Sequence, residues 1–177
     1  MLELKSERGQ VSPLSCSFIA NIMIKKEDLV AVVQNFLSET NVFLVDVKIG
    51  TDNRIVVELD SDEPITIDFC AKTTRQIESE FDREVEDYEL EVGSAGLSAP
   101  FKIVRQYRKN LGNEVEILTK DGKKLFATII EVEDDYFVVE QESMQKQEGV
   151  KRKVSVVERI KFLYSEVKYT KYLIRFK

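Results

Sequence analysis

The sequence predicts an α+β protein in two parts, an αββαβ two-layer domain followed by an all-β small barrel of the SH3-like or Sm-like kind. Three observations predict this fold class. Two amphipathic helix patterns alternate with strand patterns in the first half of the chain, a loop rich in glycine and serine follows, and short strands dominate the rest. Apolar residues make up 43% of the 177 residues and charged residues 33%, which is typical of a folded globular protein.

The first half opens with a helix and a hairpin. Residues 24–39 predict an amphipathic helix because apolar side chains recur there every three or four positions. Residues 42–49 and 54–59 alternate apolar and polar side chains on either side of turn-forming residues 50–53. We therefore expect an antiparallel pair of strands directly after the helix.

A second helix and a third strand complete the predicted first domain. Thr66 is a candidate N-cap, and the helix is expected to run to about residue 82. Its apolar stripe consists of Ile67, Cys70, Thr74, Ile77 and Phe81. Residues 88–92 alternate and predict a strand, so that two helices cover one face of a three-stranded sheet.

The second half is predicted to be a barrel. After the loop at residues 93–100 and a short helix within 101–110, strands are expected at residues 114–118, 123–131, 136–140 and 154–163, with a further strand in the tail 164–177. The predicted domains are residues 23–98 and 99–177. Residues 1–22 lack a helix or strand period, so we expect a disordered extension, with Met23 as a plausible alternative start.

Charge divides the chain in the same place. Residues 23–98 contain 7 Lys and Arg against 18 Asp and Glu, and residues 99–177 contain 17 against 12. The overall net charge of −6 therefore combines an acidic first domain with a basic second domain. Such an asymmetry favours partners of opposite charge for the two domains.

Candidate binding residues follow from this charge pattern. Seven carboxylates could bind a basic protein: Asp60, Asp62, Glu63, Glu78, Glu80, Asp82 and Glu84. Seven cations could bind RNA phosphates: Lys102, Arg105, Arg108, Lys109, Lys151, Arg152 and Lys153. Tyr107 could stack on a base. The alternative for each set is an ordinary solvated surface.

Other chemistry has little support in the sequence. The chain contains no histidine, the commonest general base and metal ligand, and its cysteines, Cys16 and Cys70, lack metal-ligand spacing. Residues 93–96 match the GxxG loop of KH domains only formally, because they follow a strand and carry no charge. We expect no enzyme activity, metal or cofactor. No apolar run approaches a membrane span, and we expect a cytoplasmic monomer.

The stretch from Tyr88 to Phe101 resembles the signature of the RimP family, in which a Leu-Glu-Val strand end runs into a Ser-x-Gly-Leu-x-x-Pro-[Leu/Phe] junction. The junction residues here are Gly93, Ser94, Gly96, Leu97, Pro100 and Phe101. The resemblance extends over about residues 24–163, through Leu44 to Val47 and the cysteine-bearing helix. This chain departs from the family at Ala99, where an arginine is usual, and at Ala127, where a glycine is common.

The resemblance implies an acidic α+β domain, an SH3-like barrel and a role in maturation of the small ribosomal subunit. It also implies binding of a basic ribosomal protein near the decoding centre. The charge division agrees with this, since the acidic domain could dock such a protein while the basic barrel faces rRNA. The competing hypotheses are a stand-alone RNA-binding regulator that uses the Sm-like barrel, and an enzyme.

Overall fold

The computed structural model describes residues 24–145 and 154–174. The first part, here called the α+β unit, has the predicted element order. It consists of α1 (Lys26–Leu37), β1 (Val42–Ile49), β2 (Arg54–Ser61), α2 (Ile67–Glu80) and β3 (Glu89–Ser94). Thr66 caps α2, because its hydroxyl oxygen accepts a hydrogen bond of 3.2 Å from the backbone N–H of Phe69.

The second part, here called the β unit, begins with one short helix and continues as strands. Its elements are α3 (Val104–Lys109), β4 (Glu114–Thr119), β5 (Lys124–Val132), β6 (Tyr136–Gln145), β7 (Val154–Leu163), a 3-10 turn (Tyr164–Glu166) and β8 (Val167–Tyr172). The expected strand in the tail is thus β8, and β6 is longer than the predicted 136–140.

The sheet of the α+β unit has the order β1-β2-β3, with β2 antiparallel to β1 and parallel to β3. Helices α1 and α2 cover one face, where Leu29 and Val33 meet Val57, Leu59 and other apolar side chains. Alternation along β2 sends Ile55, Val57 and Leu59 into this core, so Glu58 and Asp60 point to the opposite, outer face.

The sheet of the β unit has the order β7-β6-β5-β4-β8, and all of its described pairings are antiparallel. Phe137, Ile129 and Ile117 are fully buried in its core. Tyr107 of α3 also lies there, with its ring centroid 4.9 Å from that of Phe137. The described strands form an open sheet in which β7 and β8 are the edges.

The structure confirms the predicted α+β fold class, with a helix-covered sheet followed by an all-β sheet of SH3-like character. Two details of the sequence analysis are wrong. Ile67, expected on the buried stripe of α2, is 88% exposed because the helix face that packs on the core is that of Phe69, Thr73 and Ile77. Tyr107, expected to be available for base stacking, is buried among aromatic rings.

The predicted boundary between residues 98 and 99 stays a prediction, as does the extension at residues 1–22, which lies outside the described residues. The two clusters of buried apolar residues share no member, and each belongs to one unit. Within the described parts of the chain, no helix is long and apolar enough to cross a membrane.

Candidate binding site between the two units

The outer face of the first sheet faces α3 of the β unit. Register places Phe43 of β1 opposite Asp60 of β2, and Asp46 opposite Glu58. Because the helices cover the other face, these four side chains lie where the second unit can reach them. An aromatic ring and three carboxylates thus form the surface on which the β unit rests.

Lys102, just before α3, joins two of these carboxylates. Its ammonium nitrogen lies 2.8 Å from a carboxylate oxygen of Asp46 and 2.6 Å from one of Glu58. Lys26 of α1 also approaches Asp46, at 3.6 Å, and Lys48 approaches Glu58, at 2.8 Å. Three lysines, from α1, β1 and the segment before α3, therefore share two carboxylates.

Asp60 is held by α3 itself. One carboxylate oxygen lies 2.7 Å from Nζ of Lys109, and the other accepts a hydrogen bond of 3.2 Å from Nε2 of Gln106. Oε1 of Gln106 accepts a hydrogen bond of 2.8 Å from the backbone N–H of Lys102. The buried Gln106 amide therefore fixes the start of α3 and orients it towards Asp60.

Arg105 contacts the aromatic ring of the same face. Its guanidinium carbon lies 4.2 Å from the ring centroid of Phe43, which is a cation–π geometry. Phe43 is only 6% exposed. We call Phe43, Asp46, Glu58 and Asp60 with Lys102, Arg105, Gln106 and Lys109 the clasp.

The clasp shifts the ionisation of its members. The hydrogen bond from Lys102 lowers the pKa of Asp46 below its ordinary value. Burial acts to raise the pKa of Glu58, but hydrogen bonds from Lys102 and Lys48 outweigh it, so that pKa is also lowered. Burial acts against the charged form of Lys102, yet the two carboxylates raise its pKa. All three groups are therefore charged together near neutral pH.

A cleft of about 500 Å³ lies beside the clasp. Asp62, Glu63 and Ile65 from the loop before α2 line it from the α+β unit, and Asn110 and Tyr172 line it from the β unit. The clasp pair Asp60 and Lys109 also lines it. Both charged and apolar side chains are thus available to a bound partner.

The junction residues connect the units at this cleft. Gly93 and Ser94 end β3, and Ser94, Gly96, Leu97 and Phe101 line the cleft. Phe101 is anchored in the β unit, since its backbone N–H donates to the carbonyl oxygen of Thr170 at 2.8 Å and its ring packs edge-on against Tyr107. Leu97, in contrast, is 74% exposed.

The predicted acidic residues fall into two groups. Asp60, Asp62 and Glu63 precede α2, whereas Glu78 and Glu80 lie in its last turn, with Asp82 and Glu84 just beyond. A helix of 14 residues is about 20 Å long, so the groups lie at opposite ends of it. Glu78 pairs with Arg83 at 2.6 Å. The second group forms a separate surface from the cleft.

The predicted RNA-binding cations do not form one surface either. Lys102, Arg105 and Lys109 belong to the clasp, while Arg108 points away and pairs with Asp134 at 2.6 Å. The three remaining candidates lie outside the described residues: Lys151, Arg152 and Lys153. RNA binding by any of the seven stays a prediction.

Sequence reasoning missed four residues of the clasp: Phe43, Asp46, Glu58 and Gln106. Alternation along residues 42–49 places Phe43 on the same face as Val45 and Val47, which predicts a buried position in the core of the α+β unit. The register shift between Leu44 and Asp46 moves Phe43 to the outer face instead, and alternation does not reveal such a bulge.

The fold and the clasp define a two-unit protein in which a helix-covered sheet precedes an SH3-like sheet and meets it through charged side chains. The sequence profile of the RimP N-terminal domain matches residues 32–98. "Ribosome maturation factor RimP" of Porphyromonas gingivalis is 40% identical over 146 residues, which cover 82% of this chain and 96% of the relative.

Two further relatives bear the same name. That of Flavobacterium psychrophilum is 36% identical over 82% of this chain and 94% of its own length. That of Cytophaga hutchinsonii is 30% identical over 88% of this chain and 100% of its own length. The chain therefore belongs to the RimP family.

Proposed function

We propose that the chain is a ribosome maturation factor of the small ribosomal subunit that works by binding rather than by catalysis. The relatives at 30–40% identity are named ribosome maturation factors, which supports the general role. In this proposal the α+β unit docks a basic ribosomal protein near the decoding centre, and the β unit faces rRNA. The protein acts as a monomer in the cytoplasm on immature subunits.

One observation carries the docking part of the proposal. After the clasp has used Asp46, Glu58 and Asp60, the α+β unit still has unpaired carboxylates around the end of α2. Among the described residues, Glu80, Asp82 and Glu84 are exposed and have no ion-pair partner. A basic protein segment would find there a negative surface whose charges are not neutralised internally.

The clasp supplies a reason why the same unit would not simply bind RNA. The net charge of −11 over residues 23–98 repels phosphates, and the outer sheet face of the α+β unit is already covered by cations of the β unit. RNA is therefore expected to approach the β unit, whereas a basic protein is expected to approach the α+β unit.

The test is sedimentation of the tagged protein from a cell lysate through a gradient at low and at high salt. We expect co-migration with immature small subunits at low salt and its loss at high salt, because charge interactions are screened. Replacing Glu78, Glu80, Asp82 and Glu84 with lysine should abolish co-migration.

The matched control replaces four exposed carboxylates of the β unit with lysine, at Asp121, Glu133, Asp135 and Glu142. It makes the same change in net charge and should leave co-migration in place. Equal co-migration of both variants would contradict docking at the end of α2. Absence of the unmodified protein from every ribosomal fraction would favour the stand-alone RNA-binding regulator instead.

A further inference from the structure

A partly exposed aromatic ring lies on the outer face of the second sheet. Phe126 of β5 is 47% exposed, and its neighbour in the alternation, Ala127, points into the core. Register places Phe126 opposite Glu116 of β4, and Glu116 opposite Lys171 of β8. The ring therefore belongs to a row that crosses three strands.

One lysine lies beside this ring, and a second lies beside Tyr169 in the same row. Nζ of Lys124 lies 5.5 Å from the ring centroid of Phe126, and Nζ of Lys171 lies 5.5 Å from that of Tyr169. Both ammonium groups also reach the same Glu116 oxygen, at 3.0 and 3.4 Å. Because two lysines share one carboxylate, the row keeps a positive charge.

Glu116 holds this arrangement in place. Its carboxylate is buried and accepts a hydrogen bond of 2.7 Å from the hydroxyl of Tyr169. That bond and those from the two lysines lower the pKa of Glu116 despite its burial. The carboxylate thus fixes the positions of both lysines, rather than presenting a negative charge to solvent.

More lysines extend the positive surface towards the β4–β5 turn and the start of β8. Lys120, Lys123 and Lys168 are exposed, and none has an ion-pair partner among the described residues. The backbone N–H of Lys120 donates to the carbonyl oxygen of Glu166 at 2.9 Å, which brings the turn beside β8. The acids near this surface include Glu114, which shares the outer face of β4 with Glu116. Asp121 lies at the turn, and the carboxylate of Glu166 accepts a hydrogen bond from the backbone N–H of Leu163.

We propose that this surface, formed by Phe126 with Lys120, Lys123, Lys124, Lys168 and Lys171, binds single-stranded RNA. A base stacks on the open face of Phe126, and the flanking lysines bind phosphates of the same strand. The inference rests on the rRNA-facing part of the proposed function and assigns it to residues that the charge pattern of the sequence had not singled out.

The exposed ring favours RNA over an acidic protein segment. Carboxylates would be satisfied by lysines alone, whereas a nucleobase also offers a flat surface that an exposed phenylalanine can stack against. A duplex hides its bases, so the same ring would gain nothing from double-stranded RNA. The surface is therefore expected to select unpaired strands.

The experiment measures binding of the full-length protein to a fluorescent 12-nucleotide RNA of mixed sequence by anisotropy, over a range of salt concentrations. Phe126→Ala should weaken binding about fivefold or more, while Phe126→Tyr should bind like the unmodified protein. Lys123→Gln combined with Lys168→Gln should weaken binding and reduce the slope of log K against log salt by about 0.7 for each lysine.

Two controls separate stacking from general effects. Leu111→Ala removes an apolar side chain of the β unit that is similarly exposed, at 48%, and should not change binding. A hairpin duplex of equal length should bind more weakly than the single strand. Unchanged affinity of the Phe126→Ala and lysine variants, equal binding of the duplex, or equal binding of polyglutamate would overturn this inference.

The two proposals can fail separately. If the unmodified protein binds RNA and the substitutions on this surface have no effect, only the position of the RNA site is wrong. If the unmodified protein binds no RNA at any salt concentration, the inference and the rRNA-facing part of the proposed function are both wrong. Docking of a basic protein by the α+β unit would be unaffected by either result.

Discussion

Among the described residues, two phenylalanine rings lie next to a cation, and the two pairs have opposite surroundings. Phe43 lies under Arg105 between the units and is 6% exposed. Phe126 lies beside Lys124 on the outside of the β unit and is 47% exposed. The β unit covers the Phe43 ring, whereas the Phe126 ring has a face open to solvent.

The same difference separates the lysines of the β unit. Lys102 and Lys109 are bound to carboxylates of the α+β unit, while Lys120, Lys123 and Lys168 have no ion-pair partner among the described residues. A count of charges treats all five alike. Contact with the other unit, rather than local sequence, decides which cations remain available to a partner molecule.

The largest expected effect is on the free energy of unfolding, which should fall further when Phe43 is replaced with alanine than when Phe126 is. Phe43→Ala removes a buried ring from the interface and should lower the free energy of unfolding by about 3 kcal/mol. Phe126→Ala removes a half-exposed ring and should lower it by less than about 1 kcal/mol. Urea denaturation of both variants measures the difference. Equal losses would mean that the interface contributes no more than the open surface.

The next largest effect is expected from charge reversal, which should change the radius of gyration for one group of lysines and not for the other. Lys102→Glu with Lys109→Glu puts negative charges beside Asp46, Glu58 and Asp60, so the units should separate and the radius of gyration measured by small-angle X-ray scattering should rise. Lys123→Glu with Lys168→Glu makes the same change in net charge and should leave the radius of gyration constant. A rise in the second variant would refute the distinction.

A smaller effect is expected from pH. Folded-state pKa values of Asp46 and Glu58 are lowered from ordinary values of 3.8 and 4.5, so their contribution to stability is present above about pH 4.5 and is lost as the pH falls through the lowered values. Lys102→Gln should therefore reduce stability at pH 7, and this loss should shrink as the pH falls through the lowered pKa values. Thermal unfolding across this range tests the sign, and a difference that grows towards acid would contradict it.

The smallest effect should come from Lys124→Gln. Glu116 would still be held by Lys171 and by the hydroxyl of Tyr169, so the free energy of unfolding should fall by no more than about 0.5 kcal/mol. Chemical denaturation gives this value directly. A loss several times larger would show that the lysine is needed for the fold, which would weaken its use as an RNA contact.

The fold was predictable because its local signals agree with its packing. The apolar stripe of α1, the alternation in β1 and β2, and the Thr66 cap each identify an element that the structure contains. Ile67 shows where this reasoning stops. Its spacing fits an apolar stripe on α2, but the helix face that packs on the core is that of Phe69, Thr73 and Ile77.

The site was less predictable because it depends on the contact between the units. Arg105, Arg108 and Lys109 have the spacing of one exposed basic helix face. Arg105 and Lys109 instead contact the outer face of the first sheet, and nothing local in the sequence indicates that this sheet lies opposite. Phe126 was overlooked for the converse reason. An aromatic residue in a strand pattern is usually assigned to the core, and only the register shows that it points outwards.

The hairpin of β6 and β7 reaches beyond the rest of its sheet. Pairing of β5 with β6 stops at Glu140, whereas pairing of β6 with β7 continues for five more residue pairs, from Gln141 with Glu158 to Gln145 with Val154. Those five pairs extend about 17 Å at 3.4 Å per residue. Because Glu142, Val156 and Val157 of this ribbon are exposed, evolution can lengthen or shorten it one pair at a time, and so change how far the protein reaches without refolding it.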